Sequence, residues 1–328
     1  MRALKWLAGL AVVLLVAFLL LRTPDTERKA MIAKYGSAPS QFVELRPGLT
    51  VHFRDEGPRD APVIVLLHGS NADLHTWDAW TAALTDRYRV VRFDQIGHGL
   101  TGANPSGDYS PDAYIDGVQS VADKLGLKRF ALAGNSMGGG IALGYALAHP
   151  DRLDGLVLLD AGGAPRLGKA KGNIGFTLAR NPVGGWLMQE ITPRWLIAQS
   201  VHQTVANQAV ATDATIDRYW ELLRYPGNRA ATAVRFGMGW TTFPESRLAE
   251  LKVPVLILWG EKDGLIPVAA GRWFAQAIPG AKLIVYPDIG HIPMEEAAPR
   301  SVADLRGWLA AHAVPAGAAD ASTPTTSH

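Results

Sequence analysis

The amino-acid sequence predicts an α/β fold, in which a doubly wound, mostly parallel sheet carries a helical cap insertion and follows an N-terminal apolar helix. Short apolar runs of β-type residues recur along the chain, and helix-like stretches separate them. Strands that are buried on both faces and alternate with helices form parallel sheets with helices on each side. A stretch from residue 166 to residue 246 contains no good strand, and this stretch predicts the cap.

Length and composition limit the class of protein. The chain has 328 residues, enough for one large domain or two ordinary ones with a buried core. Its 32 Lys and Arg side chains nearly balance 30 Asp and Glu side chains, and no block of five like charges occurs, so a nucleic-acid partner is not expected. Cysteine is absent, which excludes disulfides, thiolate-bound metals and a thiol nucleophile.

The first element is an apolar segment at the N-terminus. From Trp6 to Leu21, 16 consecutive residues carry no charge and no strongly polar group, and basic residues flank them on both sides. As a helix this run would measure about 24 Å, which crosses the roughly 30 Å hydrocarbon core only if the flanking basic side chains extend outward. No small-x-small cleavage site follows directly. We therefore expect an uncleaved signal anchor over residues 1–22, in preference to a cleaved signal peptide or a buried soluble helix.

This anchor implies a single-pass protein with residues 4–22 in the membrane. Basic residues on both sides partly offset each other in the positive-inside count, and we expect the short N-terminal tail inside. The catalytic domain would then lie on the exported side, in the periplasm or outside the cell. Residues 23–40 are predicted to form a polar linker. Residues 313–328, rich in Ala, Pro, Ser and Thr, are predicted to be disordered.

The core is predicted over residues 41–165 and 247–312, and the cap over residues 166–246. Period-2 and continuous apolar runs predict the strands, and apolar residues at helical spacing predict the helices. The predicted strands are 43–46, 50–54, 63–67, 89–93, 130–133, 156–159, 255–259 and 282–286. The predicted core helices lie near 77–86, 111–125, 137–149, 268–277 and 299–311.

The cap is expected to shape the substrate pocket. Its apolar residues recur at helical spacing, and most of them are expected to pack the cap onto the core. Among its large aromatic side chains, Trp186, Trp220 and Trp240 are predicted to bind substrate.

The sharpest motif is Gly134-Asn135-Ser136-Met137-Gly138, between an apolar strand and an apolar helix. In a G-x-S-x-G elbow, glycines two residues on either side of the serine let a strained strand-to-helix turn pass close to its neighbours. Its context between strand and helix favours this interpretation over an ordinary glycine-rich turn. Ser136 is therefore predicted to be an exposed nucleophile.

A serine at neutral pH needs a histidine base. Among the nine histidines, His291 follows the last predicted strand at its carboxyl end, where catalytic groups gather in open α/β sheets. His75, near the loop that follows the predicted strand 63–67, is the second candidate for the base.

The base needs an acidic residue to orient it. Asp263 follows the penultimate strand, and the chain order Ser136, Asp263, His291 is the order expected for a strand-to-helix nucleophile elbow. Asp160 ends the strand next to the nucleophile strand and is a competing candidate, and Glu261 is a third.

These motifs together resemble the α/β-hydrolase superfamily over about residues 41–312. The segments that carry the resemblance are His68-Gly69-Ser70-Asn71, Asp94-Gln95-Ile96-Gly97-His98-Gly99, the elbow at Ser136, Trp259-Gly260-Glu261-Lys262-Asp263 and Gly290-His291-Ile292-Pro293. The resemblance implies that the backbone N–H groups of Ser70 and Met137 form an oxyanion hole. It also leaves the Asn71 side chain as a secondary contact to substrate.

The implied reaction is acyl transfer to water through an acyl-enzyme, with no metal and no organic cofactor. The expected partner is a carboxylic ester of a small to medium apolar substrate. The elbow, with His68-Gly69-Ser70, is also similar to hydrolases that cleave a carbon–carbon bond in ring-fission products. Those enzymes continue Gly-Pro where Asn71-Ala72 stands here, and usually have Trp where Ile292 follows the histidine, so ester cleavage is favoured. A non-catalytic binding module on the same fold is the third possibility.

Overall fold

The structure is a computed structural model that describes residues 2–239 and 241–312. Its strands are β1 (Gln41–Arg46), β2 (Leu49–Glu56), β3 (Val63–Leu67), β4 (Arg89–Phe93), β5 (Phe130–Asn135), β6 (Leu153–Leu159), β7 (Val255–Gly260) and β8 (Lys282–Tyr286). Within the described residues these eight strands form one sheet in the order β1-β2-β4-β3-β5-β6-β7-β8. β2 pairs antiparallel with β1 and with β4, and the other neighbouring pairs are parallel. The predicted doubly wound, mostly parallel fold is confirmed.

Helices cover both faces of the sheet and fill the interval between β6 and β7. The helices are α1 (Arg2–Leu21), α2 (Arg28–Tyr35), α3 (Asp78–Leu84), α4 (Pro111–Lys124), α5 (Met137–Ala148), α6 (Ile174–Arg180), α7 (Pro182–Glu190), α8 (Arg194–Thr204), α9 (Asp213–Leu223), α10 (Asn228–Gly237), α11 (Glu245–Leu248), α12 (Val268–Ala277), α13 (Pro293–Glu296) and α14 (Ala298–His312). We call the segment that carries α6 to α10 the cap. Short 3₁₀ turns lie at Leu74–Trp77, Pro150–Arg152 and Gln208–Val210.

The central strands are apolar because both faces of the sheet are covered. Leu66, Leu132, Leu158 and Ile257, one from each of β3, β5, β6 and β7, are fully buried. Continuous runs of Val, Leu and Ile stabilise such strands, since every side chain leaves water whichever face it points to.

The parallel register brings the carboxyl ends of four strands to one edge of the sheet. Leu67 at the end of β3 pairs with Gly134 of β5, and Asn135 of β5 pairs with Leu159 of β6. Leu159 in turn pairs with Leu258 of β7. The loops that follow these strands therefore meet at this edge, where ligands bind in open α/β sheets.

The N-terminal helix α1 projects its apolar side chains outward. Trp6 and Leu20 are each 80% exposed, and no acidic residue lies in the first turn. Among the helices that the structure describes, none is both long and apolar enough to cross a membrane. The membrane span expected over residues 4–22 is therefore not supported.

Residues 23–40 lie against the cap. They contain α2, whose Met31 is buried in a cluster with Leu222 and Tyr225. Asp25 also accepts a 2.6 Å hydrogen bond from Arg229 of α10. The chain therefore connects α1 to the cap through specific contacts. The tail expected over residues 313–328 lies outside the described residues.

Gly260, at the end of β7, packs against the loop that carries His291. A Cβ at Gly260 would lie 1.9 Å from the carbonyl oxygen of Gly290. We predict that Gly260→Ala lowers the free energy of unfolding by about 1–3 kcal/mol, because the overpacked loop has to shift. Urea denaturation followed by circular dichroism measures this change.

The matched control is Gly307→Ala in α14, where an added Cβ would have no neighbour within 4 Å. An exposed helical Gly→Ala exchange is expected to stabilise by about 0.5–1 kcal/mol. Equal effects of the two substitutions would contradict the packing described for Gly260.

Candidate active site

Ser136 lies at the sharp turn between β5 and α5. Its backbone has φ 54° and ψ −116°, a conformation that side chains rarely adopt and that costs about 1–3 kcal/mol. The surrounding backbone holds it in place: the Ser136 N–H donates to Leu159 at 2.9 Å, and the Gly162 N–H donates to the Ser136 carbonyl at 2.8 Å. The strained residue therefore belongs to the sheet edge itself.

The glycines of the elbow are explained by close backbone contacts. A Cβ at Gly134 would lie 2.2 Å from the carbonyl oxygen of Gly138. A Cβ at Gly138 would lie 2.4 Å from the carbonyl oxygen of Leu67, the last residue of β3. A side chain at either position would push α5 away from the sheet and move Ser136 with it.

His291 and Asp263 form a buried hydrogen-bonded pair. The Nδ1 atom of His291 lies 2.7 Å from Oδ2 of Asp263, and both side chains are almost completely buried. A carboxylate only accepts hydrogen bonds, so Nδ1 carries the proton and Nε2 is the ring nitrogen left for chemistry. Oδ1 of Asp263 accepts the N–H groups of Leu265 at 2.7 Å and Ile266 at 3.1 Å.

The backbone of His291 is also held from two sides. Its N–H donates to the carbonyl of Thr204 in the cap at 3.0 Å. Its carbonyl accepts a 2.9 Å hydrogen bond from the side-chain amide of Asn135, the residue before Ser136. The end of β5 thus positions the histidine loop directly.

Asp160, the competing acid, is buried beside this pair without a hydrogen bond to His291. Its φ is 43°, and its Oδ1 accepts the Gly260 N–H at 2.9 Å. Burial, and then the negative charge of Asp263, raise the pKa of Asp160 well above its usual value. Asp160 is therefore harder to ionise than an ordinary aspartate, and Asp263 is the carboxylate that contacts the histidine.

Glu261 and His75 make their contacts outside the pair of His291 and Asp263. Glu261 is exposed and faces Arg272 at 3.9 Å. His75 is fixed by two contacts: its Nδ1 lies 2.7 Å from Asp73, and its Nε2 lies 3.1 Å from Arg54. Neither Glu261 nor His75 lines the cavity that contains Ser136.

Asp160, Asp263 and His291 also have the composition of a small metal site. One ligand atom from each lies within 4.8 Å of the other two. These oxygen atoms are already engaged within the protein, since both oxygens of Asp263 and Oδ1 of Asp160 accept hydrogen bonds. The arrangement fits a hydrogen-bonded acid–base pair better than a cation site.

A cavity of about 60 Å³ lies between the sheet edge and the cap. Ser70, Asn71, Ser136 and His291 all contribute to its wall. Gly69 packs against the elbow, because a Cβ there would lie 3.2 Å from Cβ of Ser136. Met137 is the first residue of α5, where free N–H groups and the helix dipole favour negative charge. The structure thus brings the predicted nucleophile, base and oxyanion loop to one place.

The cap closes the cavity with apolar side chains whose place in the wall helical spacing alone does not determine. Four apolar side chains on the cap helices line the cavity: Phe176, Ile197, Val201 and Leu223. Their 3.6-residue spacing predicts helices but does not distinguish the face toward the cavity from the face toward the core.

The predicted substrate-binding tryptophans are not brought to the cavity. Trp186 is 59% exposed on α7. Trp220 donates its indole N–H to the carbonyl of Thr192 at 2.7 Å and stacks under Arg224, so it joins cap segments to each other. Neither lines the cavity, whereas Asn71 does. Trp240 lies outside the described residues.

A buried charge network attaches the cap to the loop that follows β3. Arg218 of α9 lies between Asp73, at 3.2 Å, and Glu295, at 3.4 Å. Burial opposes ionisation of Asp73, but the Arg218 charge and the hydrogen bonds from His75 hold its pKa below the usual range. Removing one member would leave an uncompensated buried charge.

Comparison with known proteins places the chain among hydrolases. The sequence model of the alpha/beta hydrolase fold matches residues 62–298. A bifunctional esterase/perhydrolase from Acinetobacter calcoaceticus is 29% identical over 267 residues, covering 78% of this chain and 95% of that protein. A 2-hydroxy-6-oxononadienedioate/2-hydroxy-6-oxononatrienedioate hydrolase from Pseudomonas putida is 29% identical over 269 residues, covering 78% of this chain and 91% of that protein.

The same fold recurs in solved structures. A thermophilic esterase from Thermogutta terrifontis matches with a TM-score of 0.70 and 25% sequence identity, covering 84% of this chain and 100% of that chain.

The raised pKa of Asp160 predicts a specific dependence of stability on pH. The folded state keeps a proton that the unfolded state releases above the ordinary pKa of 3.8. The contribution of Asp160 to stability therefore falls as the pH rises from about 4 toward the raised pKa, by at most about 1.4 kcal/mol per pH unit.

Asp160→Asn retains an acceptor for the Gly260 N–H and cannot ionise, so this slope should disappear. Urea unfolding of both proteins between pH 4 and pH 8 should show the variant gaining stability relative to the wild type as the pH rises. Parallel curves would show that Asp160 ionises in the folded protein as it does in the unfolded chain.

Proposed function

The chain belongs to the α/β-hydrolase fold family, and from this premise we propose that it is a serine hydrolase that cleaves a carboxylic ester of a small to medium apolar substrate. The observation that carries the proposal is the buried contact between His291 Nδ1 and Asp263 Oδ2, 2.7 Å apart, with His291 lining the same cavity as Ser136. A nucleophile, a base and an orienting acid at one cavity are the requirements of acyl transfer.

In the proposed reaction Ser136 Oγ attacks the ester carbonyl while Nε2 of His291 takes its proton. Asp263 holds the imidazole in the tautomer with the proton on Nδ1 and stabilises the imidazolium that forms. His291 then gives the proton to the leaving alcohol, and an acyl-enzyme remains. A water molecule, activated by the same nitrogen, releases the carboxylic acid and restores Ser136.

The tetrahedral intermediate needs donors for its negative oxygen. We assign this role to the backbone N–H groups of Ser70, on the cavity wall, and Met137, at the start of α5. Donors placed where charge develops stabilise the transition state more than the ground state, and losing one typically costs roughly 100- to 1000-fold in rate.

The cavity wall favours an apolar ester over a charged ring-fission product. No Lys or Arg side chain of the described residues lines the cavity, and the cap side of the wall consists largely of apolar groups. A dioate of the kind named for the Pseudomonas putida relative would bring two carboxylates against this largely apolar wall, whereas the nearby Arg235 is already hydrogen-bonded to Ser70. The cavity holds only a few water molecules at its present size, so a medium-sized acyl group requires movement of the cap.

Carbon–carbon bond hydrolysis is the second candidate, since a relative named as a hydrolase of a 2-hydroxy-6-oxo dioate is 29% identical. It uses the same reactive groups on a ketone in place of an ester. A ring-fission dienoate assayed beside p-nitrophenyl esters of increasing acyl length distinguishes the two. Faster turnover of the dienoate than of every ester would make the second candidate the function.

We predict graded losses of activity from single substitutions at the site. Ser136→Ala should abolish p-nitrophenyl ester hydrolysis, and Asp263→Asn should lower kcat by roughly 10³- to 10⁴-fold because the histidine loses its tautomer and orientation. Asp160→Asn should lower kcat far less, since Asp160 makes no hydrogen bond to His291. Steady-state kinetics of the purified full chain measure all three.

The opposite order of kcat losses in the two aspartate variants would change the assignment of the acid. If Asp160→Asn abolished turnover and Asp263→Asn did not, the acid would be Asp160. Absence of turnover of any ester or dienoate by the folded wild type would leave a non-catalytic binding module as the function.

We also propose that the exposed helix α1 attaches the chain to a membrane, with the α/β domain on the exported face. Its outward apolar side chains, among them Trp6 and Leu20, would leave water on contact with lipid. The specific contacts of residues 23–40 with the cap would keep the cavity at a defined position relative to that helix.

Flotation with phospholipid vesicles tests the attachment. The full chain should rise with the vesicles, and a variant with Leu14→Lys and Val13→Lys should stay in the dense fraction because charged groups are costly to bury in lipid. Equal flotation of both would contradict the attachment. Since the chain has no cysteine, Asp60→Cys introduces a unique exposed thiol whose labelling by an impermeant maleimide in intact cells reports the exported side. Labelling only after lysis would place the domain inside.

A further inference from the structure

Arg235, on the cap helix α10, reaches across to the loop that follows β3. Its Nη1 donates to Ser70 Oγ at 2.7 Å, and its Nη2 lies 3.5 Å from Asn71 Oδ1. The guanidinium also stacks on the ring of Phe236, with 4.5 Å between its central carbon and the ring centre. Arg235 is therefore directed at two consecutive residues of the cavity wall.

This guanidinium, on a half-buried side chain, lacks an acidic partner in the part of the chain that the structure describes. Among the described residues no carboxylate forms an ion pair with Arg235, and its buried Nε has no hydrogen-bond partner. Burial accordingly lowers the pKa of Arg235. A charge kept at this position without compensation is costly, and its contacts are made with the loop and not with an acid.

Thr232 lies one turn earlier on the same face of α10 and holds the same loop. It is buried, and its hydroxyl donates to Asn71 Oδ1 at 2.9 Å. Asn71 has a φ of 59°, a conformation that asparagine tolerates better than most residues. Two cap side chains thus fix the side chain of the residue where the loop turns.

The start of α10 is fixed to the core independently. The side-chain amide of Asn228 donates to the Gly99 carbonyl at 3.0 Å. At Gly227 a Cβ would lie 2.6 Å from Cβ of Ala103, so this turn packs directly on the core. Because its first turn is fixed to the core, α10 holds Thr232 and Arg235 at a defined position relative to the loop.

We propose that Thr232 and Arg235 are positioning residues that hold the Ser70 backbone N–H where the oxyanion develops, so that the oxyanion hole is complete only when the cap is closed. The inference rests on the serine hydrolase proposed above. It assigns the cap a part in the chemical step, besides its part in enclosing the substrate.

The physical reason is the sensitivity of electrostatic stabilisation to geometry. An N–H donor contributes fully only at about 2.7–3.1 Å from the oxyanion, and a displacement of about 1 Å costs up to 100-fold in rate. Ser70 and Asn71 are held from the cap side by the hydrogen bonds of Arg235 and Thr232. Loss of these bonds would loosen the loop while the ground-state binding surface stays in place.

The test compares substitutions at both residues in the full chain. We expect Arg235→Met and Thr232→Val each to lower kcat for a p-nitrophenyl ester by roughly 10- to 100-fold, with KM within about 3-fold of wild type. Inhibition by a trifluoromethyl ketone, which forms an oxyanion on Ser136, should weaken by the same factor as kcat/KM.

Conservative variants separate positioning from packing. Thr232→Ser restores the hydroxyl and should recover activity to within about 3-fold of wild type. Arg235→Lys keeps the charge but cannot bridge Ser70 and Asn71, and should be intermediate. Arg247→Met, at an exposed arginine paired with Glu250, is the matched control and should not change the kinetics.

Two results would overturn the inference for a chain that hydrolyses esters. An unchanged kcat and an unchanged ketone affinity in folded Arg235→Met and Thr232→Val would show that the loop does not need the cap. A higher KM at constant kcat would make the two residues ordinary binding contacts. If Arg235→Met does not fold, the comparison of kcat between Thr232→Val and Thr232→Ser tests the inference in its place. If the wild type turns over no ester, the proposed function fails and this inference fails with it.

Discussion

The backbone conformation of Ser136 is the constraint on which the rest of the site depends. A residue at φ 54° between a strand and a helix is stable only where neighbouring backbone holds it, and here β3 and β6 do so on either side. The same contact that requires glycine at position 138 also fixes where the loop after β3 passes the elbow. Ser136 and the loop after β3 are therefore positioned by one packing contact.

The cap adds a second layer of positioning through buried charge. Glu296 accepts the N–H groups of Ala206 and Asn207 from the cap and of Gly290 from the histidine loop. Arg218 joins α9 to Asp73 on one side and Glu295 on the other. Breaking such a buried pair typically costs about 3–5 kcal/mol, so these contacts favour the closed cap strongly. A substrate larger than the present cavity has to rearrange part of this layer.

Much of this arrangement was accessible from the sequence because it is encoded locally. The parallel strands are continuous apolar runs, and every predicted core strand has an observed counterpart. The elbow is a contiguous motif, and the ends of parallel strands necessarily meet, so Ser136, Asp263 and His291 were expected at one edge. The choice of Asp263 over Asp160 agrees with the hydrogen bond that Asp263 makes to His291.

What the sequence did not reveal depends on side chains that meet across large sequence separations. The ion pair of Asp73 with Arg218 joins the loop after β3 to α9. The hydrogen bond of Arg235 to Ser70 joins the same loop to α10. Helical periodicity identifies the cap helices but not which face each one turns to the cavity, and so Trp186 was assigned to the pocket although it is exposed. The contacts of residues 23–40 with the cap were equally hidden, since that segment is polar.

The proposed function depends on Ser136 acting as a nucleophile that His291 activates. Incubating the folded full chain with a fluorophosphonate probe and locating the adduct by peptide mass spectrometry tests it most directly. We expect one phosphonyl group per chain, on Ser136, and labelling slowed by orders of magnitude in His291→Ala. A folded wild type that remains unlabelled, or an adduct on any other residue, would contradict it.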